Sequence, residues 1–319
     1  MIYLKKFTIR NASLIGLIDA PTLALTACGG GSGSTATPAA QPQAVTIQFA
    51  LKAGATPVSC GTPINVLGIG GKTAQLQDLR FYVSDVHLMT ANDTQVPVTL
   101  TEDGQWQHDG SALIDMENGL GDCKNGTAAT NLTLRGTVPA GNYTGVGFTV
   151  GLPVAQNHSN VATAVAPLDV SALAWSWQSG RKFFQLELNP DGGVLTPAND
   201  TATPPVPATT SSTFYVHLGA ADCTGSPALG EMAICARPNR MAFHSHAFNA
   251  STQQIVLDLS TLLAGSNLSR NAGGAPGCMS SVTDPECAPL FSALKIDLAT
   301  GLPIDSGHGQ QLFRVEPKL

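Results

Sequence analysis

A chain of 319 residues fits two domains of ordinary size or one large all-β domain. Charged residues make up 12%, about half of the ~25% usual in soluble proteins, while an apolar share of 43% is enough for a sizeable core. With 16 Lys and Arg against 22 Asp and Glu there is no positive excess to neutralise phosphates, which argues against nucleic-acid binding, and 33 Gly with 21 Pro predict many turns and few long helices.

The N-terminus, MIYLKKFTIR, carries Lys5, Lys6 and Arg10 without an acidic residue and leads into a mostly apolar stretch from Ala12 to Ala27, broken by Asp19 and Pro21. The junction Leu25-Thr26-Ala27-Cys28 has the form of a bacterial lipoprotein signal, in which the cysteine becomes the acylated first residue. Residues 1–27 therefore read as a signal peptide and Cys28 as the lipid anchor, so the membrane is met through lipid alone. No stretch approaches the ~20 uninterrupted apolar residues of a transmembrane helix. Residues 29–44, GGGSGSTATPAAQPQA, hold no charge and no large apolar side chain, so 28–44 reads as anchor and flexible linker.

The folded domain is expected over residues 45–319. In VTIQFAL, Val45, Ile47, Phe49 and Leu51 alternate with the period of a half-buried strand. Comparable runs follow at 79–88, 131–138, 145–150, 183–188, 213–218, 241–248 and 255–259, most bounded by Gly, Pro, Asn or Asp. Short helices are expected in STLLAG after Asp258 and in APLFSALK from Ala288. The Pro/Thr-rich stretch 189–212 reads as a surface insertion. The fold class is all-β: a single large β-sandwich or barrel-like domain with long loops, stapled by disulfides.

With Cys28 acylated, an even set of six cysteines remains: Cys60, Cys123, Cys223, Cys235, Cys278 and Cys287. In an oxidising, exported setting these predict three disulfides, and no C-x2-C pair speaks for thiolate metal ligation. Loop length favours Cys223 with Cys235 and Cys278 with Cys287, which leaves Cys60 with Cys123.

Catalytic signatures are absent: there is no G-x-S-x-G, H-E-x-x-H, P-loop or dinucleotide fingerprint, and the chain reads as a binding protein, not an enzyme. The Asp305-Ser306-Gly307-His308 run reads as a loop. Imidazole suits copper and zinc while a thioether selects Cu(I), so His and Met in an exported, disulfide-rich chain point to copper. His244 and His246 stand at i and i+2 in a strand pattern and would share one face. His158 follows Asn157 in a turn, His217 lies inside a strand, and His87 and His108 have no distinguishing partner. Trp175-Ser176-Trp177 places two indoles at i and i+2, which suits a core pair or a stacking platform.

Several segments together resemble one family. They are QDLRFYVSDVHL (77–88), ALIDMENGLGDC (112–123), PAGNYTGVGFTVGLPVAQNH (139–158), PLDVSALAWSWQSGRKF (167–183), YVHLGAADC (215–223), CARPNR (235–240) and GCMSSVTDPEC (277–287). Their order and spacing are similar to those of the four-cysteine proteins of the metallo-mystery pair, the MbnP-type family. The resemblance places the four family cysteines at Cys60, Cys123, Cys223 and Cys235. It implies a copper-binding protein of the cell envelope of a Gram-negative bacterium, periplasmic or lipid-anchored at the outer membrane. It also implies a di-haem partner of the MauG and cytochrome c peroxidase type (MbnH-type), which oxidises the first Trp of the W-x-W motif, here Trp175, to kynurenine. A His and a Met would then hold Cu(I): His158 first and His217 second for the imidazole, and Met279 for the thioether ahead of Met116 and Met241. Leu173, two residues before Trp175, stands where some members carry Met. A different reading, an adhesin-like or glycan-binding β-sandwich, would use the Trp pair as its platform.

Overall fold

The alternation in the sequence becomes strands. A computed structural model describes residues 41–175, 180–225 and 231–318. The signal segment, Cys28, most of the linker and Trp177 lie outside the described residues. In chain order the main elements are β1 (Gln43–Ala53), β2 (Lys72–Met89), β3 (Ser111–Asp115), β4 (Thr133–Val138), β5 (Gly145–Val150) and α1 (Val154–Asn157). Then come β6 (Gly180–Pro190), β7 (Phe214–Gly219), β8 (Ala221–Thr224), β9 (Ile234–Arg237) and β10 (Met241–Ser245). The last are β11 (Gln253–Asp258), α2 (Leu259–Leu262), α3 (Cys287–Leu294) and β12 (Phe313–Pro317).

Two sheets form. The smaller runs β12-β11-β1-β4 and ends on the short strand Thr99–Leu100; the larger runs β10-β5-β2-β6-β7 and ends on Gly277–Cys278, with β3 also paired to β2. In β1 the side chains of Val45, Ile47, Phe49 and Leu51 are buried while their neighbours face outward. In β2 the same parity turns Leu79, Phe81 and Val83 into the core between the sheets. The sheets meet through phenylalanines: Phe49 of β1 lies 5.7 Å from Phe81 of β2 and 5.6 Å from Phe148 of β5, and Phe313 of β12 lies 5.3 Å from Phe148. The architecture is a β-sandwich with three short helices among the described residues.

Strand boundaries shift where packing overrides pattern. The run 241–248 stops at Ser245, because the chain turns there and Phe248 N–H donates to the Thr144 carbonyl while its ring enters the core. His246 thus lies beyond the strand, exposed, and does not share a strand face with His244. The insertion 189–212 forms a short hairpin, with Val194–Thr196 against Thr209–Ser211. Disulfides join Cys60 to Cys123, Cys223 to Cys235 across the β8-β9 pair, and Cys278 to Cys287 at the start of α3.

The larger sheet has a second, outward face that is also covered. Tyr82 of β2, Leu113 of β3 and Phe183 of β6 are buried there with Leu152, Leu168, Leu173 and Ala220, under the loop that follows β5. No helix among the described residues is long and apolar enough to cross a membrane. The phenylalanine contact between the sheets should dominate stability: Phe49→Ala is expected to cost about 3–5 kcal/mol, read from the denaturant midpoint. A loss below ~1 kcal/mol would show that the cluster does not hold the two sheets together.

Candidate functional site

The loop covering the outer face has little regular structure, so its carbonyls need donors. Arg181, at the start of β6 and 1% exposed, supplies them. Its Nε and Nη2 donate to the Leu168 carbonyl at 2.9 and 2.6 Å, and its Nη1 donates to the carbonyls of Gln156 and Asn157 at 2.6 and 2.9 Å. Its backbone N–H donates to Asn157 Oδ1 at 2.7 Å, and Tyr82 Oη donates to the Pro167 carbonyl at 2.9 Å. A planar fork of donors suits this gathering of carbonyls as an ammonium would not.

That anchoring sets His158. Because Asn157 Oδ1 is taken by Arg181, Asn157 Nδ2 faces the imidazole and donates to His158 Nε2 at 3.1 Å. The other ring nitrogen, Nδ1, is buried and has no hydrogen-bond partner. Burial, and secondly the Arg181 charge, push the His158 pKa below its usual value, so the ring is neutral and ligand-competent at neutral pH. Its Nε2 lies 3.3 Å from Cys235 Sγ, and the donor atoms of His158, Cys223 and Cys235 fall within 4.8 Å of one another. Both sulfurs belong to one disulfide, so neither is a thiolate, and the imidazole is the donor of that group.

Two glycines make the room. At Gly180 a Cβ would lie 2.8 Å from Asn157 Nδ2 and 3.2 Å from His158 Cε1. Trp175 pairs with Gly180 across a short antiparallel ladder, so the indole and His158 flank the same backbone position. Trp175 is 9% exposed, and its six-membered ring lies on Gly219, where a Cβ would meet Cζ3 at 2.7 Å. Met279, half-buried, follows Cys278, which pairs in parallel with Val216 of β7. The next residue, Ser280, accepts from the Gly219 N–H at 3.1 Å and donates through Oγ to the His217 carbonyl at 2.9 Å. The Met279 segment is therefore fastened to the stretch of β7 on which the Trp175 ring rests.

The other methionines are placed differently. Met116 and Met241 are 8% and 0% exposed members of the main core, so neither presents a thioether to this site. Leu173 packs fully buried in the outer cluster. His217 is buried in a polar row along the same face, with Nε2 2.9 Å from Glu187 Oε1. Burial outweighs that carboxylate and lowers the His217 pKa. In the same row Arg80 pairs with Asp78, which also accepts from Gln185 Nε2 at 2.6 Å.

His244 and His246 stand apart from Trp175. β10 and β7 are separated by four strand steps, ~19 Å at ~4.8 Å each, so His244 of β10 does not join His217. Instead His244 faces His87, with ring centroids 5.4 Å apart, and His308 lies 6.3 Å from His244 and 6.1 Å from His246. His87 and His308 carried no local signal, because their neighbours are cross-strand partners distant in sequence. The residues 305–308 do form a turn, and it is this turn that delivers His308.

The MbnP family model matches residues 42–280 of the chain. The structure is similar to that of MbnP from Methylosinus trichosporium, at 36% sequence identity and a TM-score of 0.78, covering 88% of this chain and 100% of that one. No curated protein matches. On a family match that spans most of the domain, together with the shared fold, the chain belongs to the MbnP family.

Proposed function

We propose that the protein is an exported copper-binding lipoprotein of copper homeostasis, without catalytic activity of its own. It binds Cu(I) through His158 and Met279 beside a kynurenine formed from Trp175. The observation that carries this reading is the convergence on Gly180 and Gly219 of a neutral imidazole with an unpartnered buried nitrogen, a buried indole, and the fastened Met279 segment. An imidazole with a thioether suits a soft monovalent copper ion.

The chemistry of the modification fits the setting. Oxidation of Trp175 opens the Cγ–Cδ1 bond of the indole, adding two oxygens, and hydrolysis then releases Cδ1 as formate. What remains is a ketone and an aryl amine in place of an apolar ring, polar groups able to orient a metal ligand or a metal-bound water. Ligation through His158 Nε2 displaces the Asn157 amide hydrogen bond; ligation through Nδ1 needs the proton on Nε2. Oxidising equivalents are assigned to a di-haem partner of the MauG and cytochrome c peroxidase type. Cys28 would hold the domain at the envelope membrane, with the segment before β1 as tether. A glycan-stacking role is less well supported, because the six-membered ring of Trp175 abuts Gly219 and the indole is 9% exposed.

Mass spectrometry of the Trp175 peptide, from protein made with and without the di-haem partner, tests the modification. Kynurenine and one bound copper are expected with the partner and neither without it; unmodified tryptophan and no copper in both preparations would end the proposal. Trp175→Phe should abolish copper binding while leaving the disulfides and thermal unfolding nearly unchanged, and full copper occupancy in that variant would remove kynurenine from the account. Gly219→Ala should push the ring off β7, costing roughly 1–3 kcal/mol and lowering both kynurenine yield and copper occupancy. Cys28→Ser should abolish palmitate labelling and release the domain from the membrane fraction; retention there would argue against the lipid tether.

A further inference from the structure

Four of the chain's seven histidines gather at the far end of the large sheet, away from Trp175. His87 on β2 and His244 on β10 are not adjacent; both register against Gly147 of β5, which runs between them. Side chains two strands apart normally stand ~10 Å from one another. Here the central residue has no side chain, and the two rings lean into the space above it. A Cβ on Gly147 would lie 2.3 Å from His87 Nε2 and 2.6 Å from His244 Nδ1, so the two nitrogens converge on one point.

Hydrogen bonding at His87 favours a lone pair at that point. His87 Nδ1 is 2.9 Å from the Asp85 carbonyl, an acceptor, so Nδ1 carries the proton and Nε2 presents a lone pair. That Nε2 is buried without a hydrogen-bond partner. His246 Nδ1 is 2.9 Å from Asp93 Oδ1, which leaves its Nε2 as the free donor atom in the same way. A histidine whose second nitrogen donates to a carbonyl or carboxylate is the usual arrangement around a bound metal. His308 stands between His244 and His246, its ring parallel to that of His246 within 7°. It is delivered by a turn that sits tightly on β10, where a Cβ on Gly307 would meet the Ala242 carbonyl at 2.2 Å.

We propose that His87, His244, His246 and His308 form a binding site for a borderline divalent transition-metal ion, distinct from the site at Trp175. His87 Nε2 and His244 Nδ1 are the fixed donors, and the exposed His308 and His246 complete the coordination by side-chain rotation. The donor set is all imidazole, without thioether or thiolate, which suits Zn(II), Ni(II) or Cu(II) and disfavours Cu(I). The proposal does not rest on the kynurenine reading, since no residue is shared.

The test uses the whole mature chain stripped with a chelator and titrated with Zn(II), and with Co(II) as a spectroscopic probe. One equivalent should bind, with the visible bands of tetrahedral nitrogen-ligated Co(II). His87→Gln and His244→Gln should each weaken binding at least about tenfold, whereas Trp175→Phe and His158→Ala should leave it unchanged. The exposed His308→Ala, which leaves the core untouched, should also weaken binding and alter the Co(II) spectrum. Absence of stoichiometric uptake by the unaltered chain, or uptake that survives His87→Gln, His244→Gln and His308→Ala alike, would overturn the proposal.

Discussion

The buried guanidinium of Arg181 is the interaction on which the site depends. A sandwich needs one covered face per sheet, yet the larger sheet here is covered on both, and the outer cover is a loop instead of a helix layer. Such a loop brings carbonyls into a dry environment where each would otherwise cost several kcal/mol. Arg181 answers three of those carbonyls at once, through four hydrogen bonds, and its own amide fixes Asn157. The position of His158, one residue further, follows from that, and so does the orientation that leaves one of its nitrogens without a partner. Packing, loop conformation and ligand chemistry are in this sense one constraint.

A second device recurs on the same face. Gly147, Gly180 and Gly219 each lie in or at the end of a strand, and at each a missing Cβ admits an imidazole or an indole from elsewhere in the fold. At Gly147 two histidines lean in, at Gly180 Asn157 and His158, at Gly219 the Trp175 ring. A strand glycine ordinarily weakens a sheet, so its presence signals a close approach. All three glycines are visible in GVGFTV, QSGRKF and YVHLG, but a sequence does not say what fills the hole.

Much of the fold was legible because period-two alternation is a local property: the β1, β5 and β7 runs needed no tertiary information. The close Cys223/Cys235 and Cys278/Cys287 spacings were likewise readable from loop length. What failed was anything requiring cross-strand knowledge. His244 and His246 were readable as neighbours, but not that the strand ends at Ser245 to let Phe248 into the core, nor that His244 also faces His87 across Gly147. Met241 looked available until its parity placed it inside the sandwich. Arg181 was not singled out at all, since nothing in RKFFQLEL distinguishes a buried cation from a solvated one.

The low charge content takes on meaning in this light. Asp78, Arg80, Asp115, Lys182 and Arg181 are all buried on the outer face of the large sheet, so part of a small complement of charges lies inside. Burial acts on these groups with opposite sign: it lowers the pKa of His158, His217 and His244, and raises Asp115 to about 7, the Glu117 charge adding to the rise. The lowered histidines contribute stability that is present above their unfolded value of ~6.5 and is lost as pH falls through their folded values. Asp115 does the reverse, since its contribution is present at acid pH and is lost as pH rises through about 7. The two slopes oppose one another between mildly acid and neutral pH, and the neutral imidazoles needed for metal ligation belong to the upper end of that window. Around Arg181, covering a polar sheet surface with a loop both places His158 and buries charges beside it, so ligand geometry and sensitivity to pH have one origin there.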